Sequence, residues 1–196
     1  ATWLNTLGVD AVVLKYRVPR RDREKPHPWP LQDLQRTIRI VRSKAAEWKI
    51  DPNRLGVMGF SAGGHLCAMA SSHYLEESYK PIDAIDKLDA RSSFVVLIYP
   101  AYLGSVRKDA NRIDPLVKVD AKTPPTFIAI THDDGDRAIF AALYYAELKR
   151  NRVPGELHIY NKGGHGYGLR PSANPVSSWP DRLGDWFRSS GLLKRQ

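Results

Sequence analysis

The sequence holds a single cysteine, Cys67, so no internal disulfide can brace the fold and its stability must come from packing. Long apolar runs are also missing: stretches such as residues 94–99 fall far short of the roughly 20 residues a membrane-spanning helix needs, so no membrane partner is expected. Residues 1–20 contain no basic segment followed by an apolar one, and so no secretory signal. Localisation stays open between cytoplasm and export. No Cys/His cluster with zinc spacing and no G-x-x-x-x-G-K-S/T loop occurs, which leaves metal and nucleotide chemistry without ligands.

What the chain does have is an excess of positive charge, with 30 Lys and Arg against 21 Asp and Glu for a net +9. The densest basic cluster is Lys15, Arg17, Arg20, Arg21, Arg23 and Lys25. Asp22 and Glu24 dilute it, Pro19 and Pro26 break it, and no nucleic-acid motif accompanies it. It reads as a solvated loop with no nucleic-acid partner, an acidic polysaccharide being the alternative attracted by such charge. With 42% apolar residues, 196 positions suffice for one globular domain spanning 1–196 and are few for two.

Strand-like and helix-like segments alternate from end to end, which predicts an α/β fold with a mostly parallel sheet between two helical layers. Residues 9–16 are β-branched and apolar and read as a buried strand. After a Pro-rich loop, Leu31, Leu34, Ile38, Val41, Ala45 and Trp48 recur at helical spacing, up to a stop at Asp51-Pro52. Residues 54–60 read as a strand, and Leu66, Met69, Ala70 and His73 mark a helix immediately after it. Residues 94–99 and 126–131 are further buried strands. Phe140, Leu143, Tyr144 and Leu148 give a helix, residues 156–160 a last strand, and Leu183, Trp186 and Phe187 a final helix. About five strands are expected.

Gly59-Phe60-Ser61-Ala62-Gly63 matches the G-x-S-x-G nucleophile elbow between a strand and a helix, where the motif has mechanical meaning. The sharp turn strains the serine backbone, and glycines on both sides leave room for neighbouring chain. Ala62 N–H, at the start of the helix, is then placed to hold an oxyanion. A serine needs a base, and His165 in Gly163-Gly164-His165-Gly166 follows the last strand on a loop able to present it across the sheet edge. His158 falls within that strand, His73 at a helix end and His27 in the Pro-rich loop. His65 shares a helix face with Ser61 but would point into packing one turn along. Asp133 and Asp134 both stand at the C-terminal end of the 126–131 strand, where one of them is expected to orient His165. The order Ser, Asp, His is that of α/β-hydrolases.

These residues resemble bacterial α/β-hydrolases of the acetyl xylan esterase and feruloyl esterase group, related more distantly to the prolyl oligopeptidase clan. The likeness rests on Leu14-Lys15-Tyr16-Arg17, Asp51-Pro52-Asn53-Arg54, the elbow continuing into Gly64-His65, Tyr99-Pro100, Pro124-Pro125-Thr126-Phe127 and Gly163-Gly164-His165-Gly166-Tyr167-Gly168. It implies Ser61 as nucleophile, His165 as base, Asp133 as acid and no cofactor. Its substrates would be small-molecule or carbohydrate esters, among them acetylated or feruloylated polysaccharide. Gly135-Asp136-Arg137 departs from the Val-Pro-like run usual after the acid. A prolyl oligopeptidase-type peptidase is the neighbouring alternative, although no propeller or gating domain accompanies it. A non-catalytic fragment is the other.

The resemblance begins at a helix end, Trp3-Leu4, without the glycine-rich loop that supplies the second oxyanion donor or the first strands of the sheet. The expectation is therefore an incomplete chain, a weak esterase with an exposed sheet edge that invites homo-oligomers. A chain extended upstream through such a loop is expected to hydrolyse p-nitrophenyl acetate at least about 10²-fold faster, since one oxyanion donor commonly contributes about 10²- to 10³-fold to kcat. Equal kcat for the two chains would overturn that expectation.

Overall fold

A strand covered on both faces must be apolar at consecutive positions, and this chain contains two such stretches. The computed structural model, which describes residues 1–18 and 28–193, makes them the centre of a four-stranded parallel sheet. Its strands are β1 (Gly56–Phe60), β2 (Phe94–Ile98), β3 (Thr126–Thr131) and β4 (Gly155–Tyr160), in the order β1-β2-β3-β4. Parallel pairing holds Met58 beside Val96, Ile98 beside Ala129 and Thr131 beside Tyr160.

Alternation splits each central strand between two cores. Val95 and Leu97, with Ile128 and Ile130, face helices α2 (Pro28–Ser43), α4 (Ala62–Ser72) and α5 (Arg137–Arg150). There they meet Leu31, Leu34, Ile38, Met69, Phe140 and Tyr144. Val96 and Ile98, with Phe127 and Ala129, face the opposite way, against Trp179, Leu183, Trp186 and Phe187 of α6 (Trp179–Ser189). Trp3, Leu4 and Leu7, from and after the short helix α1 (Thr2–Thr6), complete that second core. The result is the three-layer α/β arrangement expected. Each fully buried Leu, Ile or Phe contributes about 1.5–3 kcal/mol. Cys67 lies inside the first core, where burial pushes its thiol up to about 12 and removes it from thiolate chemistry.

Two expectations need correcting. The helical stretch from Leu31 to Trp48 is broken at Lys44 into α2 and a short α3 (Ala45–Trp48), which ends at Lys49, φ 56°, and Trp48 is 44% exposed where a buried face was expected. The strand expected over residues 9–16 is extended chain outside the sheet, so the sheet has four strands rather than about five. Leu14 and Tyr16 pack on the first core, but Val12 and Val13 are 55% and 80% exposed. Apolar β-branched sequence favours extended backbone, whereas a strand also needs a neighbour, and among the described residues this segment finds no ladder partner.

Of the basic cluster, Arg20, Arg21, Arg23 and Lys25 lie outside the described residues. Arg17 is tied to Asp33 of α2 by an ion pair at 2.8 Å and by its own N–H to the same carboxylate. Among the described residues no helix is long and apolar enough to cross a membrane.

Candidate active site

β1 runs into α4 with no linking loop, and Ser61 carries the whole change of direction. Its backbone lies at φ 54°, ψ −118°, a region L residues seldom enter and one that costs of order 1–3 kcal/mol. Three main-chain hydrogen bonds fix it there. Its N–H donates to the Ile98 carbonyl at the end of β2 (3.0 Å), while its carbonyl accepts from Ala101 N–H (3.0 Å) and His65 N–H (3.2 Å). The side chain is thereby held at the C-terminal edge of the sheet, with Ala62 N–H beside it as the first amide of α4.

The glycines of the elbow divide the work unequally. A Cβ on Gly59 would stand 2.0 Å from the Gly63 carbonyl oxygen, whereas one on Gly63 would meet nothing within 4 Å. Close passage of chain is therefore bought at the first glycine and not, as the motif suggested, at both.

The histidine nitrogen at Ser61 Oγ belongs to His165, with Nε2 at 2.7 Å. Its Nδ1 lies 2.7 Å from Asp134 Oδ2. A carboxylate only accepts, so Nδ1 carries the proton and Nε2 is left to accept from the serine hydroxyl. His165 reaches this position on the loop after β4, where Gly164 takes φ 62° and Thr131 Oγ1 donates to its carbonyl (2.8 Å). The Tyr99 ring stands edge-to-face against the imidazole at 5.0 Å and against Tyr167 at 4.5 Å. Tyr167 O–H donates to the Ala129 carbonyl, and burial pushes that phenol far above its ordinary value, so it stays neutral.

Asp133, expected to orient the histidine, does not touch it. Both aspartates lie in the turn that follows β3, where Asp134 N–H donates to the Thr131 carbonyl and the two side chains diverge. Asp134 turns inward, its side chain 1% exposed, while Asp133 accepts from Gly164 N–H (2.8 Å) and Gly163 N–H (3.1 Å). Those two donors, Gly164 first, hold the Asp133 carboxyl below the ordinary carboxylate range. Because that pKa is lowered on folding, the loop anchoring it supplies is present above the ordinary carboxylate pKa and is lost as pH falls through the lowered one. Asp133 thus shapes the backbone that carries His165.

The other histidines sit elsewhere, and His132, in the turn after β3, donates its backbone N–H to the Tyr160 carbonyl. His65 is buried in α4, edge-on to Tyr102; His73 donates through Nε2 to the Leu116 carbonyl; His158 pairs with Glu156 at 2.7 Å; and His27 is outside the described residues. Among the described residues no three His, Cys, Asp or Glu side chains are grouped to hold a metal ion. Sequence reasoning passed over Arg137, which donates from Nη1 to Asp134 Oδ1 at 2.9 Å. Its i+3 spacing from Asp134 was visible, but such pairs are common on exposed helices and the spacing alone carries no role.

Comparison with known proteins bears on the family and the fold. The BD-FAE family matches residues 7–96, a span that contains Ser61 and stops short of Asp134 and His165. An acetyl ester-xyloside bifunctional hydrolase of Caldicellulosiruptor lactoaceticus superposes with a TM-score of 0.85 at 37% identity, over 98% of this chain and 75% of that one. A carboxylesterase of Lactobacillus plantarum superposes at 0.80 and 24% identity over 100% of this chain and 80% of its own, a likeness of fold. The acetylxylan esterase of Xylanibacter ruminicola is 30% identical over 95% of this chain, and endo-1,4-beta-xylanase B of Butyrivibrio fibrisolvens 29% identical over 81%. The matched regions span only 40% and 28% of those two proteins.

The unequal glycines give a direct check on the turn. Gly59→Ala is expected to abolish soluble folded protein. Gly63→Ala is expected to keep the fold and to hold or raise its stability, by up to about 1 kcal/mol, since alanine is the better helix residue. Thermal melts of the two variants read this out, and equal behaviour would contradict it.

Proposed function

Because the chain belongs to the α/β-hydrolases, in their acetylxylan esterase-like group, we propose that it is a serine ester hydrolase whose working residues are Ser61, His165 and Asp134. The observation that carries this reading is the unbroken relay of two 2.7 Å contacts, Ser61 Oγ to His165 Nε2 and His165 Nδ1 to Asp134 Oδ2, beginning at a serine with a left-handed backbone.

In this reading Ser61 Oγ attacks the ester carbonyl carbon as His165 Nε2 takes its proton. The negative charge that forms on the carbonyl oxygen faces Ala62 N–H at the N-terminus of α4. Collapse breaks the acyl–oxygen bond, and the imidazolium returns the proton to the leaving alcohol. Water, deprotonated by the same imidazole, then attacks the acyl-serine and releases the acid. Asp134 remains ionised throughout, fixing the Nδ1–H tautomer and stabilising the transient positive ring. Asp133 acts one step removed, through the loop. The names of the relatives point to the substrate: an acetyl or other small acyl ester carried on a xylan-type carbohydrate.

The test is hydrolysis of p-nitrophenyl acetate and of acetylated xylo-oligosaccharide, with labelling by a fluorophosphonate probe. Ser61→Ala should lose both turnover and labelling, and His165→Ala should lower kcat by several orders of magnitude. Asp134→Asn should lower kcat by about 10³- to 10⁴-fold, and Asp133→Asn by much less, because the asparagine keeps one acceptor for the loop amides. Labelling that survives in Ser61→Ala would sink the nucleophile, and a larger loss at 133 than at 134 would sink the acid.

A further inference from the structure

Arg137 breaks a local rule. It is the first residue of α5, where the helix dipole is positive and a cation is disfavoured, and no acidic residue in that first turn offsets it. Its guanidinium instead turns back on the preceding loop, donating from Nη1 to Asp134 Oδ1 at 2.9 Å and to the Asp134 carbonyl at 3.5 Å. Oδ1 is the carboxylate oxygen that His165 does not use. Among the described residues, Arg137 is the one side chain bonded to it.

Burial makes this contact consequential. The Asp134 side chain is 1% exposed and that of Arg137 44%, so the carboxylate is sealed between imidazole and guanidinium while the outer edge of the guanidinium meets solvent. It does so in a cleft of about 240 Å³ that Pro100, Tyr102, Arg107 and Phe140 also line. A desolvated carboxylate held at one oxygen alone would be costly and free to swing about its last torsion. Held at both, it presents Oδ2 to Nδ1 in one orientation. The other polar groups near the imidazole are committed elsewhere. Asp133 binds the loop amides, Tyr167 binds the Ala129 carbonyl, and Arg170 donates to the Gly166 and Tyr167 carbonyls. Tyr99 presents its ring.

We propose that Arg137 is a positioning residue: its ion pair with Asp134 fixes the carboxylate so that His165 is aimed at Ser61. The proposal rests on the ester-hydrolase reading, but it also makes a claim about the imidazole that holds without turnover. Acting through two other residues, Arg137 sets the rate of the chemical step and leaves substrate affinity alone.

The experiment compares the whole chain with Arg137→Lys, Arg137→Met and Arg137→Ala. On p-nitrophenyl acetate, Arg137→Met should lose about 10- to 100-fold in kcat with KM within about twofold, the pattern of a lost transition-state interaction. Arg137→Lys should recover most of the loss, and added guanidinium chloride at low concentration should restore Arg137→Ala, which it would not do for a loosened fold. Independently of activity, the low-field proton resonance of His165 Nδ1–H, identified by its absence in His165→Ala, should move upfield or broaden away in Arg137→Met. An unchanged kcat with an unchanged resonance overturns the proposal, as does a loss that neither lysine nor guanidinium repairs while the melting temperature stays at the wild-type value. Should the wild-type chain show no Ser61-dependent turnover, the ester-hydrolase reading fails and the resonance comparison still decides whether Arg137 holds the relay.

Discussion

The strand-to-helix turn at Ser61 is the constraint on which the site depends. A serine at φ 54° stores strain of order 1–3 kcal/mol, and it persists because the sheet around it over-determines its position. Its N–H is committed to the end of β2 and its carbonyl to both the following helix and the segment beyond β2. Those anchors exist only when β1 and β2 are paired in register, with Phe60 beside Ile98. The Ser61 hydroxyl is thus aimed by the pairing of buried strands, and both cores contribute to its geometry.

The remaining partners arrive by the same logic from the next two strands. β3 ends at Thr131, which anchors the Gly164 carbonyl, and β4 ends at Tyr160, which accepts from the His132 N–H. The acid after one strand and the histidine after the other therefore face each other across a parallel pair, at the carboxyl edge where open α/β sheets assemble their sites. Electrostatically the site is a short alternation of charge and neutral donors. The exposed Arg137 cation covers a buried Asp134 anion, which supports an imidazole, which accepts from a hydroxyl at the positive end of α4. Each member has a partner, so the burial of Asp134 is compensated at both oxygens.

Much of this was legible in the sequence because it follows from local rules. The β3 strand was readable residue for residue, since six consecutive apolar or threonine positions bounded by Pro125 and His132 fit a doubly buried strand. The approach of Ser61 and His165 to one another was legible because glycines surround both, marking backbone that must bend sharply. Which aspartate meets His165 was not legible for a physical reason: Asp133 and Asp134 lie in the turn after β3, where no strand or helix period fixes the direction of a side chain. The pair Gly163-Gly164, with two amides needing acceptors, was the one clue that an aspartate would be spent on the loop. The segment 9–16 was misread as a strand because strand formation belongs to a pair of segments, and a single segment shows only its half of that preference.

Covalent passage of an acyl group through Ser61 is the event that defines the proposed chemistry. The direct measurement is acid-quenched, single-turnover reaction with p-nitrophenyl acetate in the Asp134→Asn background, where deacylation is slowed, followed by peptide mass spectrometry. An acetyl adduct on the peptide containing Ser61, absent when Ser61 is also alanine, is the predicted result. An acetyl group on any other residue, or p-nitrophenol released from the wild-type chain by a route that leaves Ser61 unmodified, would contradict it.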